Sequence, residues 1–200
     1  MQPLFDREPQ QLNLPDSDII YYPDFMDKTS ADNYFILLKN NCSWQQDDIK
    51  VFGKVYAQPR LTALYANNEK PYSYSNITMN PHRFSKELQS IKEQIETITE
   101  CNFTTCLLNL YRDGKDSNGW HADNEKELGQ NPIIASISLG ASRYFHLKHN
   151  DKPDQKRKLL LEHGSLLVMK GETQHYWKHQ IPKTAKPIGE RINLTFRIIK

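Results

Sequence analysis

Two short motifs in this 200-residue sequence could hold a metal, because each places a histidine and an aspartate two positions apart: His121-Ala122-Asp123 and His149-Asn150-Asp151. At the end of a β-strand, such a pair projects to one side and supplies two ligands of a two-histidine, one-carboxylate iron site. This kind of site leaves three coordination positions for a cosubstrate and oxygen. The third ligand must come from farther along the chain, where His163, His175 and His179 are candidates. An expected turn favours a structural role for His163, whereas spacing alone does not separate His175 from His179.

A row of polar side chains occupies the last strand-like segment. Residues 191–197 alternate in character, so that Arg191, Asn193, Thr195 and Arg197 share one face of a strand and apolar residues share the other. On composition alone, a solvated outer face is the more common arrangement. Facing inward, the same row would form an anion pocket, because arginine binds carboxylates through paired hydrogen bonds.

An amide and a phenol precede the first motif. Asn109 and Tyr111 share a face of a strand-like segment that ends ten residues before His121. Both groups make directional hydrogen bonds and could hold the same small dicarboxylate. An ordinary strand with a polar edge is the alternative for this pair.

Helices followed by strands would have to position these residues. Ser30 is expected to cap a first helix, and apolar residues from Phe84 to Ile98 recur with the spacing of a second helix that buries one face. Short strand-like segments with polar turns then follow. The sequence therefore predicts a mainly β, α+β fold: a double-stranded β-helix, or jelly-roll, with the N-terminal helices buttressing one sheet. The strands are expected at residues 104–111, 133–139, 144–148, 158–161, 165–169, 175–179 and 191–199.

Composition limits the classes of protein that this sequence can form. The longest apolar run is about four residues, which excludes a membrane span, and charged residues among the first 18 argue against a signal peptide. Three cysteines without a C-x-x-C pair argue against a disulfide framework and a structural zinc. A net charge of +2 is compatible with a polyanionic partner. We expect an intracellular monomer, cytoplasmic or, in a eukaryote, nuclear, with no membrane partner.

Taken together, these residues resemble the AlkB family of iron(II)- and 2-oxoglutarate-dependent nucleic-acid demethylases. The resemblance runs from about Val51 to Lys200 and is closest to the branch of the human second and third homologues. Its most specific part is the run R-x-N-L-T-F-R at residues 191–197, in register after an H-x-D motif and a distal histidine. The other parts are Asn109-Leu110-Tyr111, His121-Ala122-Asp123, His163-Gly164-Ser165-Leu166-Leu167 and His179.

The resemblance implies a set of site residues. The iron ligands would be His121, Asp123 and His179. His175 would lie near them without binding the iron, and the His149 motif would be a chance match that does not bind it. Arg191 would bind the distal carboxylate of 2-oxoglutarate. The rest of the cosubstrate pocket would be lined by Asn109, Tyr111, Asn193, Thr195 and Arg197, with Arg197 near the iron-side carboxylate.

The resemblance also implies a nucleic-acid surface. Phe52 would be the wedge that fills the gap left by a flipped base, on a finger that includes Gly53, Lys54 and Arg60; a buried strand aromatic is the alternative for Phe52. Tyr74 would stack on the extruded base. Its neighbours in the base pocket would be Tyr72, which would form a hydrogen bond nearby, Ser73 and Glu125, which could interact with an exocyclic amine. Asn124 departs from the aspartate of the human branch, so the preference for a cationic base could differ.

The implied activity is DNA repair by oxidative demethylation of N-alkylated bases. Substrates would be 1-methyladenine and 3-methylcytosine; iron(II), oxygen and 2-oxoglutarate would be used, and formaldehyde, succinate and carbon dioxide released. The alternatives are an RNA demethylase, a hydroxylase of proteins or small molecules, and a non-enzymatic nucleic-acid-binding module.

The expected domain organisation is simple. Residues 1–18 would form a tail and residues 19–200 the dioxygenase domain. Within that domain, nucleotide recognition would lie in 19–100 and the catalytic jelly-roll in 101–200. Basic residues between 148 and 158 could contact phosphates, although a charged loop is usually only solvated.

Overall fold

The computed structural model describes residues 7–51, 54–68, 72–74 and 77–199, with backbone alone at residues 50, 51, 72–74, 77 and 78. Its α-helices are α1 (Lys28–Asn41), α2 (Lys86–Thr99) and the short α3 (Thr173–Tyr176). None of the described helices is long and apolar enough to cross a membrane. The strands are β1 (Gln10–Gln11), β2 (Asp18–Tyr22), β3 (Asp48–Val51), β4 (Lys54–Ala57), β5 (Leu61–Ala66), β6 (Tyr72–Tyr74), β7 (Ile77–Met79), β8 (His82–Arg83), β9 (Thr105–Tyr111), β10 (Asn118–His121), β11 (Ile134–Gly140), β12 (Arg143–His149), β13 (Lys156–Leu161), β14 (Ser165–Lys170), β15 (Trp177–Ile181) and β16 (Arg191–Arg197).

Two β-sheets form the body of the protein, as the jelly-roll prediction requires. The large sheet has the order β1-β2-β14-β11-β16-β9-β5-β8, and the small sheet has the order β10-β15-β12-β13. An apolar cluster joins their facing sides, with Tyr111 and Met169 from the large sheet and Phe145 and Trp177 from the small one. Among the described residues, β3 also pairs with β4 and β6 with β7, both antiparallel and outside these sheets.

The helices cover the other side of the large sheet. Leu88, Ile91 and Ile95 of α2 are fully buried and belong to one cluster with Leu194 and Phe196 of β16. The predicted buttress is therefore confirmed, and so is the apolar stripe of the second helix. Burying each such side chain contributes about 1.5–3 kcal/mol.

The first helix begins one turn earlier than its sequence suggests. Asp27, rather than Ser30, is the N-cap, because its carboxylate accepts hydrogen bonds from the Ser30 amide at 3.0 Å and from the Ser30 hydroxyl at 2.6 Å. Aspartate satisfies the free amides of a first turn as well as serine does. The N-cap of α2 is Ser85, whose hydroxyl accepts from the Leu88 amide.

The segment expected to be a tail lies on the domain from Gln10 onward. β1 pairs with β2, and β2 pairs with β14 at the edge of the large sheet. Leu12 is buried, and the Trp177 indole donates a hydrogen bond to the Pro15 carbonyl at 2.8 Å. The apolar residues of this segment are too widely spaced to show a period, which is why the sequence alone suggested a tail.

The strand expected at residues 175–179 starts later than predicted. His175 lies in α3, and β15 begins at Trp177. His175 and His179 therefore do not share a strand face, although a continuous strand would have placed them together. β10 is a further strand, outside the predicted set.

Candidate metal and cosubstrate site

A β-bulge in β10 turns two side chains toward the interior. Asn118 pairs with Ile181 and His121 pairs with His179, so three steps along β10 match two along β15. The additional residue lets both Asn118 and His121 line the same cavity and places Trp120 outside. Gly119, inside a strand, is the sequence signal that could have indicated this bulge.

The imidazole of His121 is held in one tautomer. Its Nδ1 lies 2.7 Å from the Gly119 carbonyl oxygen, which only accepts hydrogen bonds, so Nδ1 carries the proton. The lone pair of Nε2 then faces the cavity, where the Asn118 amide lies 3.2 Å away. Burial lowers the pKa of His121 and keeps the ring neutral, as a metal ligand must be.

The carboxylate of Asp123 is buried and ionised. Burial would raise its pKa, but chiefly the charge of Arg197 outweighs that effect and lowers the pKa to about 2. Arg197 Nη2 donates to Oδ1 at 2.7 Å. The Asp123 amide donates to Oε1 of the buried Gln174 at 2.9 Å, which fixes the backbone at this position. Gln174 carries no sequence signal that would have identified it.

His179 completes the cluster from β15. Its Nε2 lies 3.9 Å from Asp123 Oδ2, and its ring centroid lies 4.2 Å from that of His121. Phe145 stacks on the ring at 5.0 Å between centroids. Burial lowers the pKa of His179 to about 3, so this imidazole is also neutral. The potential ligand atoms of His121, Asp123 and His179 all lie within 4.8 Å of one another.

The polar face of β16 forms the other wall of this cavity. All seven residues of β16 are buried, and Arg191, Asn193, Thr195 and Arg197 line the cavity with the three ligands. The interpretation of this row as a solvated face is therefore wrong. Pairing with β9 sets Arg191 opposite Tyr111 and Asn193 opposite Asn109, and pairing with β11 sets Asn193 opposite Ser138 and Thr195 opposite Ser136.

Arg191 has unused hydrogen-bonding capacity. It is 1% exposed, and its Nη2 donates to the Ser138 hydroxyl at 2.8 Å. Its Nε and Nη1 have no hydrogen-bond partner among the described residues. Burial lowers the pKa of Arg191 to about 10, so the guanidinium is charged at neutral pH. A buried cation with two free donors is costly unless an anion binds there.

Two guanidinium groups lie close to the ring of Tyr111. The guanidinium carbon Cζ of Arg191 lies 5.3 Å from the centroid of the Tyr111 ring, and that of Arg143 lies 5.6 Å from the same centroid. Arg143 donates to the carbonyls of Asp113, Asp116 and Pro182, which ties two loops to the small sheet. Sequence reasoning missed Arg143, because partners that are backbone carbonyls leave no pattern in a sequence.

The chain matches the 2OG-Fe(II) oxygenase superfamily over residues 18–197. It is 41% identical to human alpha-ketoglutarate-dependent dioxygenase alkB homolog 3, over 92% of this chain and 66% of that protein. It is 36% identical to the Arabidopsis thaliana DNA oxidative demethylase ALKBH2, over 92% and 67%. This chain belongs to the AlkB family of that superfamily.

Solved structures agree with the AlkB fold. The structure of OsALKBH1 covers 96% of this chain with a TM-score of 0.67 at 18% identity, and 100% of that chain is matched. A 2OG-Fe(II) oxygenase family oxidoreductase from Burkholderia pseudomallei covers 90% with a TM-score of 0.58 at 12% identity, and 84% of that chain is matched. The present chain spans about two thirds of the length of the curated AlkB relatives that it matches.

The AlkB cofactors fit the residues present. Two neutral imidazoles and one carboxylate are the donor set of non-haem iron(II) oxygenases, and His121, Asp123 and His179 provide it. The two Arg191 donors that lack a partner within the described ranges suit one carboxylate of 2-oxoglutarate. Both requirements meet in one cavity, which the triad and the β16 row line together.

Three other histidines, His149, His163 and His175, have structural contacts. His149 is buried, and its Nδ1 accepts from the amides of Asp151 and Lys152, so its Nε2 donates to Asp16 at 3.0 Å. This second motif thus caps a turn of the β12–β13 connection. His163 Nδ1 accepts from the Gly140 amide at 2.8 Å, which supports the structural role expected for it. His175 Nε2 lies 2.8 Å from the Asn131 side chain.

The predicted substrate residues have different surroundings. Arg60 is buried and donates to Asn109 at 2.7 Å and to the Ser117 carbonyl at 3.1 Å, so it supports the cosubstrate wall instead of the finger. Glu125 is half-buried, and burial raises its pKa against the opposing charge of Arg197. Lys54 and Asn124 are exposed. Phe52 and Gly53 lie outside the described residues, and Tyr72, Ser73 and Tyr74 form β6, of which the backbone alone is described.

Proposed function

We propose that this protein is an iron(II)- and 2-oxoglutarate-dependent dioxygenase that demethylates N-alkylated bases of DNA. Its substrates are 1-methyladenine and 3-methylcytosine, and its products are the repaired base, formaldehyde, succinate and carbon dioxide. The observation that carries the proposal is the cavity in which the His-Asp-His triad meets Arg191, two of whose guanidinium donors have no hydrogen-bond partner among the described residues. Relatives named as a dioxygenase and as a DNA oxidative demethylase support it.

The residues of this chain keep the cavity ready for its cofactors. When bound, iron(II) with 2-oxoglutarate and oxygen supplies the oxidation of a methyl carbon that resists hydrolysis. Burial keeps His121 and His179 neutral, and Arg197 keeps Asp123 ionised, so no proton has to leave a ligand at neutral pH. Arg191 binds and orients the dicarboxylate, and Ser138 holds the guanidinium from the side.

A carboxylate close in sequence to the metal triad suits a cationic base. Methylation at these ring nitrogens gives the base a positive charge and blocks its pairing, which lowers the cost of extruding it from the stack. Glu125 lies two residues after the ligand Asp123, and its Oε2 has no hydrogen-bond partner among the described residues. This oxygen can accept a hydrogen bond from the exocyclic amine of the extruded base.

Mass spectrometry of methylated oligonucleotides tests the proposal. Single-stranded DNA and RNA that contain 1-methyladenine are incubated with the protein, iron(II) and 2-oxoglutarate in air. We expect the DNA to lose one methylene, no loss with His121→Ala, and retained loss with His175→Ala, a matched change on α3. Loss from RNA alone would make the protein an RNA demethylase. Succinate release without loss from either strand would assign the site to another substrate.

A further inference from the structure

The outer face of the small sheet carries an array of basic and aromatic side chains. Neighbouring strands of this sheet are paired in register, so outward residues form rows across it. The lysines of β13 and β15 in these rows are exposed, and so are Tyr144 and Leu160, at 54% and 38%. None of these outward positions is acidic. The rows across β15, β12 and β13 are Lys178–Lys148–Lys156, Gln180–His146–Lys158 and, on the last two strands, Tyr144–Leu160.

An exposed tryptophan lies at the edge of this array. Trp120 is 39% exposed on β10, the edge strand of the small sheet, and directly precedes His121. Lys148 Nζ lies 4.5 Å from the centroid of the indole ring. A cation over a tryptophan face stabilises the ring in one orientation. The indole is therefore a positioned aromatic surface and not an isolated exposed residue.

The same strands connect this face with the metal site. In β10, His121 faces the cavity and Trp120 faces outward; in β15, His179 faces the cavity and Lys178 is exposed. Because β10 is the edge strand, a chain that leaves the cavity can pass around this edge and reach the outer face.

We propose that this outer basic face (Trp120, Lys148, Lys156, Lys158 and Lys178) binds the single strand that flanks the base in the cavity. Trp120 stacks on an unpaired base, and the lysines contact phosphates. Lysines that follow the backbone beside an aromatic ring that stacks on bases are the usual means of holding single-stranded nucleic acid. The proposal rests on the proposed function, because it takes a nucleic-acid strand as the substrate.

The affinity for single-stranded DNA at several salt concentrations tests this surface. Fluorescence anisotropy of a labelled 1-methyladenine oligonucleotide is measured with iron(II) and 2-oxoglutarate under nitrogen, so that binding is observed without turnover. We expect Trp120→Ala to weaken binding roughly 5- to 100-fold and Trp120→Phe to weaken it far less. The double change Lys148→Gln/Lys178→Gln should reduce the slope of log affinity against log salt by about 1.4. The matched change Lys28→Gln/Lys86→Gln, on the helices, should not alter it.

Three results would overturn the proposal. The first is an unchanged slope of log affinity against log salt in the Lys148→Gln/Lys178→Gln protein. The second is an unchanged affinity for DNA in Trp120→Ala. The third is that polyglutamate, added at the same concentration of charge as the DNA, displaces the strand. Photocrosslinking of the parent protein to bromouracil DNA needs no variant: crosslinks at Trp120 or Lys178 support the surface, and crosslinks confined elsewhere contradict it. Since binding is measured without turnover, a failure here is distinct from a failure of the parent to demethylate.

Discussion

Arg197 and Asp123 form a buried ion pair that joins the wall of the cosubstrate pocket to the metal triad. Nη2 of the arginine donates to Oδ1 of the aspartate at 2.7 Å, and the two side chains are 4% and 2% exposed. The second oxygen of Asp123 is left on the side of His179, at 3.9 Å from Nε2. Arg197 thus occupies one carboxylate oxygen, and the other would be the one to bind a metal ion.

Replacing Arg191 should separate stability from cosubstrate binding. Arg191→Met removes a buried charge with two donors that are unpaired in the part of the chain that the structure describes, so the free energy of unfolding of the ligand-free protein should not fall. The same change should weaken 2-oxoglutarate binding roughly 10- to 100-fold, because a charged pair of hydrogen bonds is lost. Urea unfolding and anaerobic calorimetry with iron(II) measure the two effects.

Arg143 is the matched control for this change. Its guanidinium is also buried beside Tyr111, but it donates to three carbonyls. Arg143→Met leaves those carbonyls without their donors and should lower the free energy of unfolding by about 3 kcal/mol. Equal loss of stability in both proteins would show that the Arg191 guanidinium is paired in the ligand-free protein, and unchanged 2-oxoglutarate affinity in Arg191→Met would show that it does not hold the anion.

Gln174 should support the metal site without being a ligand. Gln174→Leu leaves the Asp123 amide without its acceptor, so the ligand backbone is no longer fixed. Partners of this kind typically change metal affinity by 10- to 100-fold, and we expect a loss in this range. Titration with manganese(II), followed by electron paramagnetic resonance, measures it, and Gln155→Leu at the β12–β13 turn serves as the control. Parental affinity in Gln174→Leu would contradict this role.

Acid should destabilise the metal-free protein through His179. Its folded-state pKa is about 3 and its ordinary value is 6.5, so the unfolded chain binds the additional proton between these pH values. The free energy of unfolding should therefore fall as the pH drops below about 6.5, by about 1.4 kcal/mol per unit from this residue. Urea unfolding in EDTA at pH 7, 6 and 5 measures the slope. It should be smaller by this amount in His179→Gln, and an identical slope in both proteins would contradict the assignment.

Replacing the histidine of each H-x-D motif should have opposite effects on melting temperature and on metal binding. His149→Ala breaks the hydrogen bonds to Asp16, Asp151 and Lys152 and should lower the melting temperature while metal affinity stays at the parental level. His121→Ala should abolish metal binding with a smaller change in melting temperature. Loss of metal binding in His149→Ala would show that the second motif contributes to the site.

Periodic patterns in the sequence predicted much of this architecture. The alternation of residues 191–197 placed Arg191 and Arg197 on one face, and the buried stripe of α2 followed from its spacing. The pattern did not say which way the polar face points, because that depends on the sheet that packs against it. The H-x-D motif likewise became specific only in combination with this row.

Features that depend on distant or backbone partners could not be predicted. His179, and not His175, belongs to the candidate metal triad, because α3 interrupts the expected strand and contains His175. Arg60 turns inward because Asn109, 49 positions away, accepts its hydrogen bond. The fixed backbone at Asp123 depends on Gln174, which is 51 positions away.

Simultaneous measurement of succinate and demethylated base shows whether the site couples 2-oxoglutarate oxidation to DNA demethylation. The parent protein is incubated with iron(II), 2-oxoglutarate and single-stranded DNA that contains 1-methyladenine, and both products are quantified at successive times. We expect equal molar amounts of succinate and adenine, with neither formed by His121→Ala. Succinate that accumulates at the same rate with and without the DNA, while 1-methyladenine stays intact, would contradict it.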